Sequence, residues 1–293
     1  MENEKASHSA GIIAAHRAFE SSKNPDERIC YDPFARRFLP PGFTVIGHYE
    51  IPEETALNMF KNLVPGFHEF FVARTKYIDD RLQQHLGDGL EQLVILGAGY
   101  DSRAYRFEEL KKGIKVFEVD HPATQAVKKE KLQEIFQLLP DHVTYVPVDF
   151  HNENFQDLLS ANGYDRHLKT LFIWEGVSMY LHPEAVDETL LFVSQNTGKG
   201  SCLIFDYTYH EVVSGNHDRK EAKEWLRIAK KSDEPLLFGM GIDELEPFLS
   251  ERGFCNITNA TSDYFNSNYF VDSNKGREST PILSIAYAEI NNR

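Results

Sequence analysis

The 293 residues suffice for one large α/β domain or two small ones, and a hydrophobic fraction of 41% with 13 Tyr and 21 Phe can fill a sizeable core. A net charge of −14 argues against a nucleic-acid partner and against docking on anionic membrane by charge alone, because both need clustered Lys and Arg. Three cysteines, Cys30, Cys202 and Cys255, are odd in number and lack CxxC spacing, which disfavours a disulfide framework and a thiolate metal site, and no metal is expected. The polar N-terminus lacks a signal-peptide core, and there is no apolar run of about 18 residues. A cytoplasmic address is expected.

The first 90 residues read as helical. A helix is predicted over 8–21, and a short one after Asp32-Pro33 with Pro at the first helical position. Between Pro65 and Leu86 the residues Phe67, Phe70, Phe71, Ile78, Leu82 and Leu86 recur at helical spacing. The rhythm then changes. Apolar strands over 92–96, 115–119, 143–148, 170–174 and 201–206 alternate with helices starting near Asp101, Pro122, Asn154 and Pro183. That order predicts a doubly wound α/β fold, a mostly parallel sheet with helices on both faces. Residues 207–253 interrupt the alternation with two helical stretches, near 218–231 and 243–253. Strands near 254–261 and 282–290 finish the chain, with 264–280 read as a polar loop. The expected organisation is a single domain: a helical extension over 1–90, a cofactor core over 91–206, a lid over 207–253 and terminal strands over 254–293.

The first strand runs into Gly97-Ala98-Gly99, a tight turn whose glycines let a ligand approach the backbone. The next helix start presents free N–H groups. The second strand ends at Asp120, 21 residues after Gly99, where a carboxylate can accept from ribose hydroxyls. A strand-end Asp can equally cap the next helix, and either signal alone is weak. Together they point to a nucleoside. A phosphate-binding Gly-Lys-Ser/Thr is absent, and Ser102 stands where a dinucleotide fingerprint has its third glycine. The pattern therefore suits S-adenosylmethionine, which has no phosphate, better than a nicotinamide dinucleotide. An NAD(P)-dependent oxidoreductase and a catalytically silent S-adenosylmethionine-binding protein are the competing readings.

These stretches resemble the leucine carboxyl methyltransferase family, within the class I S-adenosylmethionine-dependent methyltransferases, and most of all its bacterial and archaeal O-methyltransferases. The matching motifs, in family order, are Ala15-His16-Arg17-Ala18-Phe19-Glu20-Ser21, Tyr31-Asp32-Pro33-Phe34-Ala35, Ala73-Arg74-Thr75-Lys76-Tyr77-Ile78-Asp79-Asp80, Leu96-Gly97-Ala98-Gly99-Tyr100-Asp101-Ser102-Arg103, Phe117-Glu118-Val119-Asp120-His121-Pro122 and Trp174-Glu175-Gly176-Val177-Ser178-Met179-Tyr180-Leu181. Residues 235–253 match more loosely. The resemblance implies a Rossmann-like seven-stranded sheet. It implies that Arg74 binds the cofactor's methionine carboxylate, that Gly97, Ala98 and Gly99 let the cofactor lie on the backbone, and that Asp120 holds the ribose. Asp149 and Phe150 would flank the adenine, Glu175 would face the amino end, Arg17 would add positive charge nearby, and Tyr180 would close the pocket.

The residues bear on some of these roles independently. Arg74 falls on an otherwise apolar helical stripe, where an Arg without an anion is costly; the alternative to a cofactor carboxylate is an internal pair with Glu69 or Asp101. Asp120, Asp149, Glu175 and Asp206 all sit at strand C-termini, which share one edge of such a sheet. For Asp206, helix capping or a solvated loop carboxylate is the preferred reading, and the same alternative stands open for Asp149. Trp174 reads as core. Tyr207, Tyr209 and His210 would line the mouth of an acceptor pocket between the N-terminal helices and the lid; edge-of-core packing is the equal alternative. No base stands out among His121, His151, His182 and His210, so no catalytic residue is assigned. The family tie and the missing base favour O-methylation of a carboxylate slightly over a hydroxyl, since an ionised carboxylate needs no base; the acceptor is a small molecule or, alternatively, a protein C-terminus.

Overall fold

The computed structural model describes residues 7–39, 45–46, 49–50, 53–149, 155–231 and 234–291. Its centre is β1 (Gln92–Leu96), an apolar run buried along its whole length because strands flank it on both sides. β2 (Lys115–Asp120), β3 (Val143–Pro147), β4 (Thr170–Trp174) and β5 (Cys202–Thr208) are parallel to it. β7 (Leu283–Ile290) runs antiparallel between β5 and β6 (Phe254–Ala260), which itself points the same way as the parallel strands, giving the order β3-β2-β1-β4-β5-β7-β6. This is the Rossmann-like, mostly parallel seven-stranded sheet expected from the sequence.

Alternating side chains feed two cores. Leu93, Ile95, Val116, Leu171, Ile173 and Ile204 face the N-terminal helices α1 (His8–Ser21), α2 (Ala35–Phe38), α3 (Glu53–Leu63) and α4 (Phe67–Gly87). On that face also lie α5 (Arg103–Arg106) and α6 (Pro122–Phe136). Val94, Leu96, Phe117, Phe172, Trp174 and Phe205 face α7 (Phe155–Ala161) and α8 (Pro183–Gln195). Trp174 is core, as expected. The segment after β5 carries α9 (His210–Ser214) and α10 (Lys220–Ala229); α11 (Leu245–Ser250) then packs on β6, and α12 (Ser262–Asn268) on α4. No described helix is long and apolar enough to cross a membrane.

Local chemistry explains several boundaries. Ser7 caps α1 by accepting from the Ala10 N–H at 3.2 Å, and Pro122 opens α6 behind a cap from His121. The helix near Asp32-Pro33 starts later than predicted. The Asp32 carboxylate accepts from the N–H groups of Phe34 and Ala35, so Pro33 lies outside α2. The helix after Asp101 is only one turn, followed by a 3-10 turn at Glu108–Lys111. The helical reading of the first 90 residues missed an antiparallel pairing of Val45–Ile46 with Tyr49–Glu50.

Two corrections matter more. The lid does not begin at residue 207, because β5 continues to Thr208 by pairing with Leu283 on β7. Nor does it run to 253, since α11 packs on β6. The excursion from the sheet is nearer 209–241. The expected loop over 264–280 contains α12 and a 3-10 turn at Asp272–Asn274. Its Asn and Ser residues have weak helix propensity, and tertiary packing decides instead. Phe265 is fully buried against Phe70 and Tyr77 of α4. Phe265→Ala should therefore destabilise the fold by about 3–5 kcal/mol in urea titration; a loss below about 1 kcal/mol would show that α12 is not anchored there.

Candidate cofactor and acceptor site

Strand register builds the site. Leu96 lies opposite both Val119 and Trp174, and Trp174 opposite Phe205. The residues that follow them, Gly97, Asp120, Glu175 and Asp206, therefore form one row at the carboxyl edge. The chain order reverses between β1 and β4, so the crevice of such a sheet opens here. Gly97 has φ +66°, and a Cβ on it would collide with the Val177 side chain. Gly99 has φ +43° and lies under Ala10 of α1. Ala98 between them is buried, and its N–H donates to the Val119 carbonyl at 3.0 Å. The Gly99 N–H donates to one Asp120 carboxylate oxygen, and the His121 N–H donates to the other at 2.6 Å. Burial pushes the Asp120 carboxyl above its usual range, and these two N–H groups oppose the shift. The Val148 N–H donates to the Asp120 carbonyl at 2.9 Å, so the half-buried Asp149 leaves β3 beside Asp120. Phe150 and His151 lie outside the described residues.

Arg74 enters this row from α4. It is 2% exposed. Its Nη1 donates to Asp206, and its Nε lies 3.0 Å from Glu175 Oε1. Glu69 and Asp101 are not its partners: Glu69 pairs with Lys61 at 3.1 Å and Asp101 with Arg103. Asp206 is not a helix cap either. It is 1% exposed, holds Arg74, and accepts the Gly176 N–H at 2.6 Å. Burial raises its carboxyl, with Arg74 and the Gly176 N–H pulling the other way. Glu175 is lowered despite burial, because Arg74 and Arg103 flank it.

Arg103, to which the sequence assigned no role, is a second hub. Its guanidinium reaches Asp79 at 2.8 Å, Glu175 at 2.7 Å and Asp101. Burial would raise the Asp101 carboxyl, but Arg103 outweighs it and leaves the group at about 2. Arg17 braces the glycine turn from behind: Nε pairs with Asp32 at 2.9 Å and Nη2 donates to the Tyr100 carbonyl at 2.5 Å. The only sequence sign of these hubs was their place inside motifs.

The acceptor side is split. Half-buried Tyr180 sits where burial and the nearby Glu234 and Asp206 carboxylates raise its phenol. Tyr207 is inside β5 with no exposure, between Phe205 and Tyr209, so it is core and does not line a pocket mouth. Tyr209 is partly buried, with its hydroxyl 2.6 Å from the Ser284 hydroxyl, and His210 is exposed at the start of α9. An aromatic wall that the sequence did not reveal runs from the buried Phe71 and Phe67 of the core to the partly exposed Trp225. Ring centroids are 5.7 Å apart at its first step and 5.3 Å at its second, joining α4 to α10. The Ser7 and Ser9 hydroxyls, at the start of α1, both donate to Glu234 at 3.1 Å. The start of α1 and the segment after α10 thus meet beside Tyr180.

The sequence model of the leucine carboxyl methyltransferase family matches residues 10–194. YktD of Bacillus subtilis (strain 168), whose name places it among S-adenosyl-L-methionine-dependent methyltransferases, is 32% identical over 199 residues, 68% of this chain. That match spans 65% of YktD, just under two thirds of its length. A protein of Mycobacterium sp. (strain JLS) with the same description is 30% identical over 264 residues, 84% of this chain and 82% of its own. The fold is similar to that of a Thermobifida fusca YX protein described as a methyltransferase, with a TM-score of 0.61 at 12% identity, covering 99% of this chain and 96% of that one. A DUF574-family protein of Streptomyces avermitilis gives 0.59 at 13% identity, over 99% of both chains. Motif order, extent of match and fold agree: the chain belongs to the leucine carboxyl methyltransferase family.

Proposed function

We propose that the protein is an S-adenosylmethionine-dependent O-methyltransferase acting on a small molecule. The observation that carries this reading is Arg74, which reaches the edge of the sheet beside the glycine turn with its Nη2 lacking a hydrogen-bond partner among the described residues. Its Nε, although close to Glu175, is also not aligned for a hydrogen bond. A donor left without a hydrogen bond on a buried guanidinium suits a second carboxylate, that of a methionine moiety. Gly97 and Gly99, at positive φ and packed against Val177 and Ala10, shape the tight turn beside the row, and Asp120 keeps lone pairs for ribose hydroxyls. Family membership supports the same assignment.

When bound, S-adenosylmethionine supplies an electrophilic methyl group on a sulfonium. The chain's part is alignment and exclusion of water. Arg74 would hold one end of the cofactor and Asp120 the other, with Asp149 at the base. Glu175 would face the amino group while anchoring Arg74 and Arg103. Tyr180 and the aromatic wall would present the acceptor.

Titration calorimetry should show binding of S-adenosylhomocysteine and none of NAD; the reverse would establish a dinucleotide enzyme. Arg74→Lys keeps the charge opposite Asp206 but loses the planar fork. It should remain folded and bind S-adenosylhomocysteine about 1.5–3 kcal/mol more weakly, and unchanged affinity would remove Arg74 from the site. Gly97→Ala should cost about 1–3 kcal/mol of stability from backbone strain, read by thermal melting, and also weaken cofactor binding. Labelled S-adenosylmethionine incubated with a metabolite extract should pass label to small molecules. A folded protein that binds S-adenosylhomocysteine yet transfers nothing would be a binding module.

A further inference from the structure

We infer that His16 is the general base of this site, backed by a buried Glu20–His68 relay, and that the acceptor is a neutral hydroxyl compound held on the aromatic wall. The inference rests on the methyl-transfer reading above and narrows it.

The relay crosses from α1 to α4. Glu20 and His68 have no exposure and His16 is 4% exposed. His68 Nε2 lies 3.2 Å from Glu20 Oε2, and His68 Nδ1 lies 2.9 Å from His16 Nδ1. The direction of every proton in this chain follows from Glu20. Its carboxylate accepts from the Ile29 N–H at 2.8 Å and Arg277 at 2.8 Å, and pairs with Lys23 at 2.8 Å. Burial alone would raise Glu20, but these partners and His68 hold it far below the usual range, so it is ionised and can only accept. Burial lowers His68 and favours its neutral form, so it donates through Nε2 and its Nδ1 is left as a lone pair. His16 must donate to that lone pair through its own Nδ1. The remaining nitrogen, His16 Nε2, therefore carries a lone pair, and it has no hydrogen-bond partner among the described residues.

The position suits a base. The His16 ring packs edge-on to Phe60 at 4.5 Å and lies 5.1 Å from Phe71. Phe71 is both the first ring of the wall leading to Trp225 and the ring 5.2 Å from the Arg74 guanidinium. His16 thus stands where the proposed acceptor wall meets the proposed cofactor row. Arg17, the next residue, grips the loop after Gly99. Burial, His68, Lys61 and Arg74 all act to lower the His16 imidazole below its usual value, which keeps it neutral at pH 7.

In the transfer step, the acceptor O–H bond breaks and its proton goes to His16 Nε2. An oxygen lone pair forms the new O–CH3 bond. The carbon–sulfur bond of the donor breaks with its electron pair going to sulfur, turning the sulfonium into a neutral thioether. The positive charge now on His16 faces the Glu20 carboxylate across His68, and the proton then leaves to solvent. An ionised carboxylate acceptor would leave this relay idle. The structure thus moves the preference from the carboxylate favoured by the sequence to a hydroxyl.

His16→Asn retains a side-chain donor towards His68 and removes Nε2. The variant should bind S-adenosylhomocysteine with wild-type affinity. With labelled S-adenosylmethionine and a metabolite extract, its transfer rate at pH 7 should fall about 10²–10⁴-fold, recovering as rising pH ionises the acceptor. The wild-type products should keep their label through base treatment, as ethers do. Base-labile label, or a variant as fast as wild type, overturns the proposal and leaves the methyl-transfer reading standing. Absence of all transfer by the wild type overturns both. Nitrogen-resolved NMR of the ligand-free protein supplies a test independent of acceptor: His16 should be the Nδ1–H tautomer and His68 the Nε2–H tautomer. The opposite tautomer at His16 would refute the assignment.

Discussion

The site depends on a buried guanidinium held between two strand ends. Arg74 arrives on a helix whose neighbouring positions are apolar, and taking its charge out of water costs several kcal/mol unless anions receive it. Asp206 and Glu175 do so, from adjacent parallel strands in register. The pairing joins α4 to the edge of β4 and β5. It also orients Gly176, whose N–H bonds to the same Asp206. The helical extension is thereby locked to the carboxyl edge of the sheet.

Charge is shared rather than paired one to one. Glu175 serves both Arg74 and Arg103, and Arg103 also gathers Asp79 and Asp101. Such a network keeps every buried charge near an opposite one while leaving part of the Arg74 fork unsatisfied. The same logic places Arg17 behind the glycine turn, where it holds Tyr100 and Asp32 and fixes the loop's position.

The acceptor side is built differently. Apolar contacts between α4 and α10 form a wall, and the polar groups are confined to its borders: Glu234 with Ser7 and Ser9 at one end, His16 with its relay at the other. An aromatic wall tolerates variation in ligand shape, whereas a fixed proton acceptor demands a particular reacting atom. That division lets a helical excursion vary while the transfer geometry stays constant.

Much of the sheet and its carboxyl edge was legible from the residues. Apolar runs punctuated by Gly and Pro located the strands, because a doubly covered parallel strand must be continuously apolar. Gly97, Asp120 and Glu175 were marked by their places at strand ends, and register brought them into one row. Arg74 was marked by its charge on an apolar stripe, but its partners were not, since Asp206 lies 132 residues away and only strand pairing brings it close. Tyr207 looked like a pocket residue because the end of β5 was set too early; pairing with β7 carried the strand on and buried the ring. α12 was invisible in a polar segment whose helicity depends on Phe265 meeting α4. His16 and His68 gave no sign of a relay, as 52 residues separate them, and Glu20, four residues after His16 on the same helix, bonds His68 instead. Local sequence determined the strands, the glycine turn and the family. Which charges meet, which nitrogen carries a lone pair and what faces the acceptor were decided by tertiary packing alone, because those interactions join segments with no local pattern in common.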